Sequence, residues 1–99
     1  MTITTNLNGT VLEIAPEGRL DTMTAPELEA ELRRSMDGAE SLIMDFSRLD
    51  YISSAGLRVL LVAQKTMNKA GAEMTIANVI PPVKEVFEIT GFTNIFTLV

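Results

Sequence analysis

The chain contains neither cysteine nor histidine. Without cysteine there is no disulfide, no thiolate nucleophile and no cysteine metal site. Without histidine, a Ser-His-Asp triad, a His-ligated zinc and a histidine general base are excluded. Basic residues are also scarce, 8 against 13 acidic ones, for a net charge of −5. A surface of that sign repels phosphate backbones, so nucleic acid is not an expected partner. Long apolar runs are missing. The longest, Val59–Ala63, falls far short of the roughly 20 residues that span a bilayer. The opening MTITTNLNGT has no basic region and no apolar core of a signal peptide. A cytoplasmic location without a membrane span is the expectation.

What is present is the material of one globular domain. The 99 residues are 46% hydrophobic and 21% charged, enough for a single core over 1–99. Thr2–Leu7 is β-branched and polar and reads as an edge strand. Asn8-Gly9 is a strong hairpin signal, and Thr10–Ala15 alternates as a strand pairing back on the first. Pro16-Glu17-Gly18 should break that strand and leave Arg19-Leu20-Asp21 as an extended tail. Thr24-Ala25-Pro26-Glu27 has the pattern of a capping box for a helix reaching about Asp37. Leu28, Leu32 and Met36 form its apolar stripe, and Glu29 and Arg33 a surface ion pair. Ser41–Phe46 is apolar on both alternating faces, the mark of a strand covered on both sides or covered and flanked.

Ser47–Ile52 is less regular, with Asp50 expected in a turn. A second helix is predicted from about Ala55 to Ala70, with Leu57, Leu60, Leu61, Gln64 and Met67 on one face and Val59, Val62 and Ala63 widening it. Leu60 and Leu61 are both expected in the core. Glu73–Val79 reads as a strand, Pro81-Pro82 as the start of a third helix ended by Gly91, and Ile95–Val99 as a last strand. Phe87 and Phe92 should pair in a Schellman ending. The order β-β-α-β-α-β-α-β predicts an α/β domain, a mixed and mostly parallel sheet of about five strands with three helices.

Chemistry concentrates at Tyr51-Ile52-Ser53-Ser54-Ala55-Gly56-Leu57, where a strand hands over to a helix. Unpaired N–H groups at a helix start favour an anion. One serine as an N-cap accounts for part of the pattern but leaves the second hydroxyl and Gly56 unexplained. Nothing beside the serines activates a nucleophile. Ile52 stands where G-x-S-x-G needs its first glycine, and Lys65 and Lys69 lie roughly 15 Å or more along the helix. The chain is therefore read as a non-enzyme. Asp21, Asp45 and Asp50 match no metal-loop spacing, and there is no nucleotide-binding glycine motif. Tyr51, the only tyrosine, reads as a half-buried packing residue.

Several segments in order resemble the STAS family, and more narrowly the bacterial anti-sigma factor antagonists. Gly18-Arg19-Leu20-Asp21 looks like the family's G-x-L-D segment, and Leu42–Ser47 is similar to its central strand. Tyr51–Leu60 looks like its phosphorylation segment and following helix. Ala70–Met74 and Val83–Phe92 resemble the later strand and helix. The resemblance implies a binding module with no cofactor and no metal. Its partners would be an anti-sigma factor that is also a serine kinase, and a phosphatase acting on the phosphoserine. Unphosphorylated, such a protein binds the anti-sigma factor and frees a sigma factor; phosphorylation ends the binding.

By that resemblance the phosphoacceptor is Ser54, with Asp21 as the nearby acid. Where the family often has Asp before the acceptor this chain has Ser53, a competing acceptor, and Ala55 replaces a frequent downstream hydroxyl. Met23 and Thr24, before the first helix, would join Ser53, Ser54, Gly56, Leu57 and Arg58 in one partner-binding patch if Asp21 lies near Ser54. Arg58, one turn beyond Ser54, is placed to meet a phosphate. The competing reading is an unphosphorylated STAS subunit of a lipid-transport or other regulatory complex.

Overall fold

A computed structural model describes all residues, Met1–Val99. Strand β1 (Thr2–Asn8) turns through Gly9-Thr10 into β2 (Val11–Leu20). Helix α1 (Ala25–Ser35), β3 (Ser41–Asp45), β4 (Leu49–Ile52) and α2 (Ser54–Lys69) follow. The chain closes with β5 (Glu73–Ala77), α3 (Pro81–Thr90), a 3-10 turn (Phe92–Asn94) and β6 (Thr97–Leu98). The sheet order is β1-β2-β3-β5-β6, with β4 pairing β2. Only β1 runs antiparallel. This is the expected mixed, mostly parallel α/β domain with three helices, but with six strands.

The pleat shows which face carries the core. Leu12, Ile14, Leu42, Met44, Met74 and Ile76 are buried, while the alternate Val11, Glu13, Ser41, Ile43, Glu73 and Thr75 are exposed or half-buried. Side chains two apart share a face, so the helices cover one side of the sheet and the other stays open. Of the two readings of Ser41–Phe46, covered on both sides or covered and flanked, the second holds: β3 lies between β2 and β5, and Ile43 is only half-buried. Helix α2 supplies the largest helical share of the core. Leu60 is fully buried, Leu61 packs at the margin, and Val62 stays 48% exposed. The buried face is therefore narrower than the run Val59–Ala63 suggests.

Strand β2 is the main departure. It runs unbroken through Pro16 and Gly18 because its neighbours hold it. The two-residue turn closes on the pair Asn8–Val11, and hydrogen-bonded pairs alternate from there. Ile3–Pro16 is then a non-bonded pair, so the proline nitrogen faces away from β1. On that side β3 pairs only Val11–Ile14 and β4 only Gly18–Leu20, so no ladder bond is lost at Pro16. Gly18, at φ +100°, takes up a register shift between Gly18 and Arg19 that re-aims the strand toward β4. Leu49–Ile52, read as irregular, is therefore a strand, and Asp50 lies in it rather than in a turn.

Three terminal details also differ. The hairpin turn is Gly9-Thr10, with Asn8 still in β1 and positive φ at Gly9 alone. Gly91 ends α3 by donating to the Phe87 and Glu88 carbonyls, an αL ending. The Schellman bonds occur at α2, where Ala72 N–H reaches the Met67 carbonyl at 2.8 Å and Gly71 N–H the Asn68 carbonyl at 3.1 Å. Phe96 stands between the two expected aromatic partners, 5.7 Å from Phe87 and 5.7 Å from Phe92 by ring centroids.

Candidate functional site

Strands β2 and β4 run parallel and end together, with Leu20 paired to Ile52. The next residues, Asp21 and Ser53, therefore leave the sheet side by side. Ser53 N–H donates to the Leu20 carbonyl at 2.9 Å, which ties the start of α2 to the end of β2. Beneath this junction Gly56 is buried. A Cβ built on it would stand 2.7 Å from Leu20 Cγ and 2.9 Å from Ile52 Cγ1. Glycine is required here because α2 rests directly on the two strand ends, not because of its φ.

The two helix starts at this end are built differently. At α1 the capping box does not form, since Thr24 is helical in φ and ψ and makes no side-chain cap bond. Its hydroxyl instead donates to the Arg19 carbonyl at 2.6 Å and accepts from Asp21 N–H at 2.9 Å. Asp21 is the cap in its place: Oδ1 accepts from Met23 N–H at 3.0 Å and Thr24 N–H at 3.1 Å. The Thr24 backbone bond, with help from the Met23 N–H, the Thr24 hydroxyl and Arg19, holds the Asp21 carboxyl below its ordinary 3.8 against some desolvation. At α2, Ser53 is an extended N-cap whose Oγ accepts only a long 3.5 Å approach from Gly56 N–H. The N–H groups of Ser54 and Ala55 have no protein acceptor.

Ser54 is the first helical residue and is exposed, as is Arg58 one turn on, which makes no ion pair. Met23 is 83% exposed and Thr24 half-buried. Gly56 and Leu57 do not belong to the outer surface. Leu57 is 4% exposed and Gly56 lies against Leu20, so both shape the patch from below. Their apolar or close-packed roles win over contact because the first turn of α2 buries that face.

Tyr51, expected as a half-buried packing residue, is instead the exposed partner of Arg19, a residue for which the sequence suggests no role. They are paired in register across β2 and β4, and the Arg19 guanidinium carbon lies 4.0 Å from the Tyr51 ring centroid. Arg19 Nε is also 3.8 Å from Asp21 Oδ2. Tyr51 is 39% exposed, so this stacked pair faces outward beside Asp21. Their signal is the pairing of two short strands, and a strand ending at Pro16 conceals it.

The three aspartates do not converge. Asp45 holds its own loop, accepting from Ser47 N–H at 3.0 Å and Asn78 Nδ2 at 3.1 Å. The Asn78 bond leads in keeping its carboxyl below the usual range. Asn78, the one non-glycine residue with positive φ, at 59°, is placed for that contact. Asp50 is exposed on β4. No group of three such side chains is arranged to hold a metal ion.

The sequence profile of the STAS domain matches residues 2–99. The chain belongs to the STAS domain family. It is 44% identical over 81 residues to BtrV of Bordetella bronchiseptica, assigned by name to the anti-sigma factor antagonists; the match covers 81% of this chain and 70% of that one. It is 29% identical over 96 residues to the anti-sigma-B factor antagonist of Staphylococcus aureus, covering 96% of this chain and 89% of the relative. Its fold superposes on the anti-sigma factor antagonist SpoIIAA in its unphosphorylated form with a TM-score of 0.85, at 18% identity, over 99% of this chain and 88% of that structure. No helix is long and apolar enough to cross a membrane.

Proposed function

We propose that the chain is a cytoplasmic, non-catalytic anti-sigma factor antagonist switched by phosphorylation of Ser54. The observation that carries this is an exposed Ser54 at the open start of α2, directly after Ser53, which leaves the sheet alongside Asp21, in a chain similar to anti-sigma factor antagonists. Unmodified, the surface of Met23, Thr24, Asp21, Ser53, Ser54 and Arg58 binds an anti-sigma factor with serine-kinase activity, and a sigma factor is released. The kinase transfers the γ-phosphoryl group of a nucleoside triphosphate to Ser54 Oγ, which gives up its proton as the nucleoside diphosphate leaves. A phosphatase hydrolyses it and restores binding.

The local physics favours such a switch. A phosphate brings roughly −1.5 to −2 charges to a helix start whose N–H groups and dipole accept an anion. The Ser54 and Ala55 N–H groups are free for it, and Arg58 at i+4 can add a charge-assisted bond. The fold survives while the partner meets a changed surface. Ser53 is the weaker candidate acceptor, because its oxygen faces Gly56 N–H and the residue is half-buried.

The test is a binding titration with the cognate anti-sigma factor, together with mass spectrometry after kinase treatment. One phosphate on Ser54 is expected. Ser54→Ala should bind without being labelled, Ser54→Asp should bind at least about tenfold more weakly (a change near 1.4 kcal/mol), and Arg58→Glu should weaken binding while remaining folded. Phosphate on Ser53, or equal binding by the Ala and Asp variants, overturns the switch. Capture of an ATPase complex in place of a kinase would favour the lipid-transport reading.

A further inference from the structure

We propose that the free edge of β1 pairs with β1 of a second copy, joining two sheets into one continuous antiparallel sheet. The hydrogen-bond phase of the hairpin decides which groups are available. Thr2, Thr4, Asn6 and Asn8 turn their backbone groups toward β2, so Ile3, Thr5 and Leu7 turn theirs outward. Nothing in the chain covers that edge, because β1 is the end of the sheet order. An unpaired row of donors and acceptors is a template for another strand.

Natural edges are usually blunted by charge, proline, a bulge or shortness. Strand β1 has none of these. It is seven residues long, keeps regular register with β2 throughout, and reads TITTNLN without a charged side chain or proline. The other strands with a free side are short: β6, at the far end of the order, has two residues, and β4, paired only with β2, has four.

The sequence of β1 is self-complementary in one register. With Thr5 opposite Thr5 on a two-fold axis, Ile3 faces Leu7 of the copy, Thr4 faces Asn6 and Thr2 faces Asn8. Every outward N–H of one strand then meets an outward carbonyl of the other. Ile3, Thr5 and Leu7 also share the helix-covered face, since they pair with Pro16, Ile14 and Leu12. The self-pairing therefore sets Ile3 against Leu7, and Leu7 is 65% exposed in the single chain. A slip by one residue would put apolar against polar side chains.

Charge selects a second copy as the occupant. The chain carries −5 overall, which opposes self-association through most of its surface, yet β1 itself is uncharged, and the one acid beside the two-fold at Thr5, Glu31, carries its own counter-charge in Arg34. An oppositely charged partner finds nothing on it to select. Nearby Glu31 is already engaged by Thr5, Ser35 and Arg34. A single strand edge is small, so the dimer should be weak and concentration-dependent. None of the residues proposed to face the anti-sigma factor lies on β1, so the two associations can be tested separately.

The experiment is sedimentation equilibrium from micromolar to millimolar protein, with amide exchange read by residue. The mass should climb from 10.8 kDa toward twice that value, and Leu7→Lys should hold it at the single-chain mass. In the wild type the Ile3, Thr5 and Leu7 amides should become severalfold slower to exchange as concentration rises, while Thr4 and Asn6 are slow throughout. A single-chain mass at millimolar concentration overturns the proposal. So does a doubled mass with those three amides unchanged, or their slowing only when an anti-sigma factor is added.

Discussion

Helices α1 and α2 begin beside each other at the same end of the sheet, and they are capped in opposite ways. The α1 start is locked. Asp21 accepts two backbone N–H bonds, and Thr24 ties the turn back to the Arg19 carbonyl. The α2 start is held below and left open above. Gly56 seats it on Leu20 and Ile52, Ser53 N–H fastens it to Leu20, and its cap bond is a long 3.5 Å. A locked turn suits a surface that must keep one shape. An open helix start, with two donors free, suits one that must accept a new anion without refolding.

The largest effect on this contrast is expected at Gly56. Gly56→Ala puts a methyl group 2.7 Å from Leu20 Cγ, and both Leu20 and Ile52 are buried. Neither can move aside freely, so the overpacking should cost about 1–3 kcal/mol, more than the helix propensity that alanine gains. Chemical denaturation measures it. An unchanged midpoint would mean that α2 is not seated on the strand ends.

Next come the caps themselves. Asp21→Ala should lower the melting temperature more than Ser53→Ala, because the carboxylate holds two donors and the serine one long contact. Ser53→Ala should cost at most about 1 kcal/mol, the low side of N-cap losses. Thermal melts of the two variants rank them. The reverse order would make Ser53 the structural cap and Asp21 the expendable one.

Much of this end was legible because its signals are local. Ser53-Ser54 before an apolar helical stripe marks a helix start, and Gly56 one turn in marks a close approach. Asp21 entered through the family resemblance, while its capping role did not, since Thr24-x-x-Glu27 offered a stronger local pattern. What won was the chain entering from β2, which points Asp21 back at the turn. The strands were legible where they alternate against a helix layer. They were not legible where pairing alone decides. Pro16 and Gly18 look like breakers until β1 and β4 are in place beside them. In Leu49–Ile52 the buried residues stand three apart, too short and irregular to show a period. The Arg19–Tyr51 pair depends on both of those strands, so it was hidden twice.

The smallest effect separates the charge of Asp21 from its geometry. Asp21→Asn keeps an acceptor oxygen for the Met23 and Thr24 N–H groups and removes the titration. The Asp21 carboxyl is held below 3.8 first by the Thr24 backbone bond, so the folded state binds its proton less readily than the unfolded chain. A depressed acid contributes stability that is fully present above the unfolded value and is lost as pH falls through the folded one. Asp45 and Glu31 are lowered as well, led by the Asn78 and Thr5 bonds respectively, and slope the same way. The wild type should therefore lose stability as pH drops below about 4, and Asp21→Asn should lose a smaller part over that window while matching the wild type's slope at neutral pH. Denaturation midpoints across the acid range read this directly. Identical slopes for the two proteins would show that the α1 start is locked by geometry alone, and the contrast with α2 would then rest on hydrogen-bond count rather than on charge.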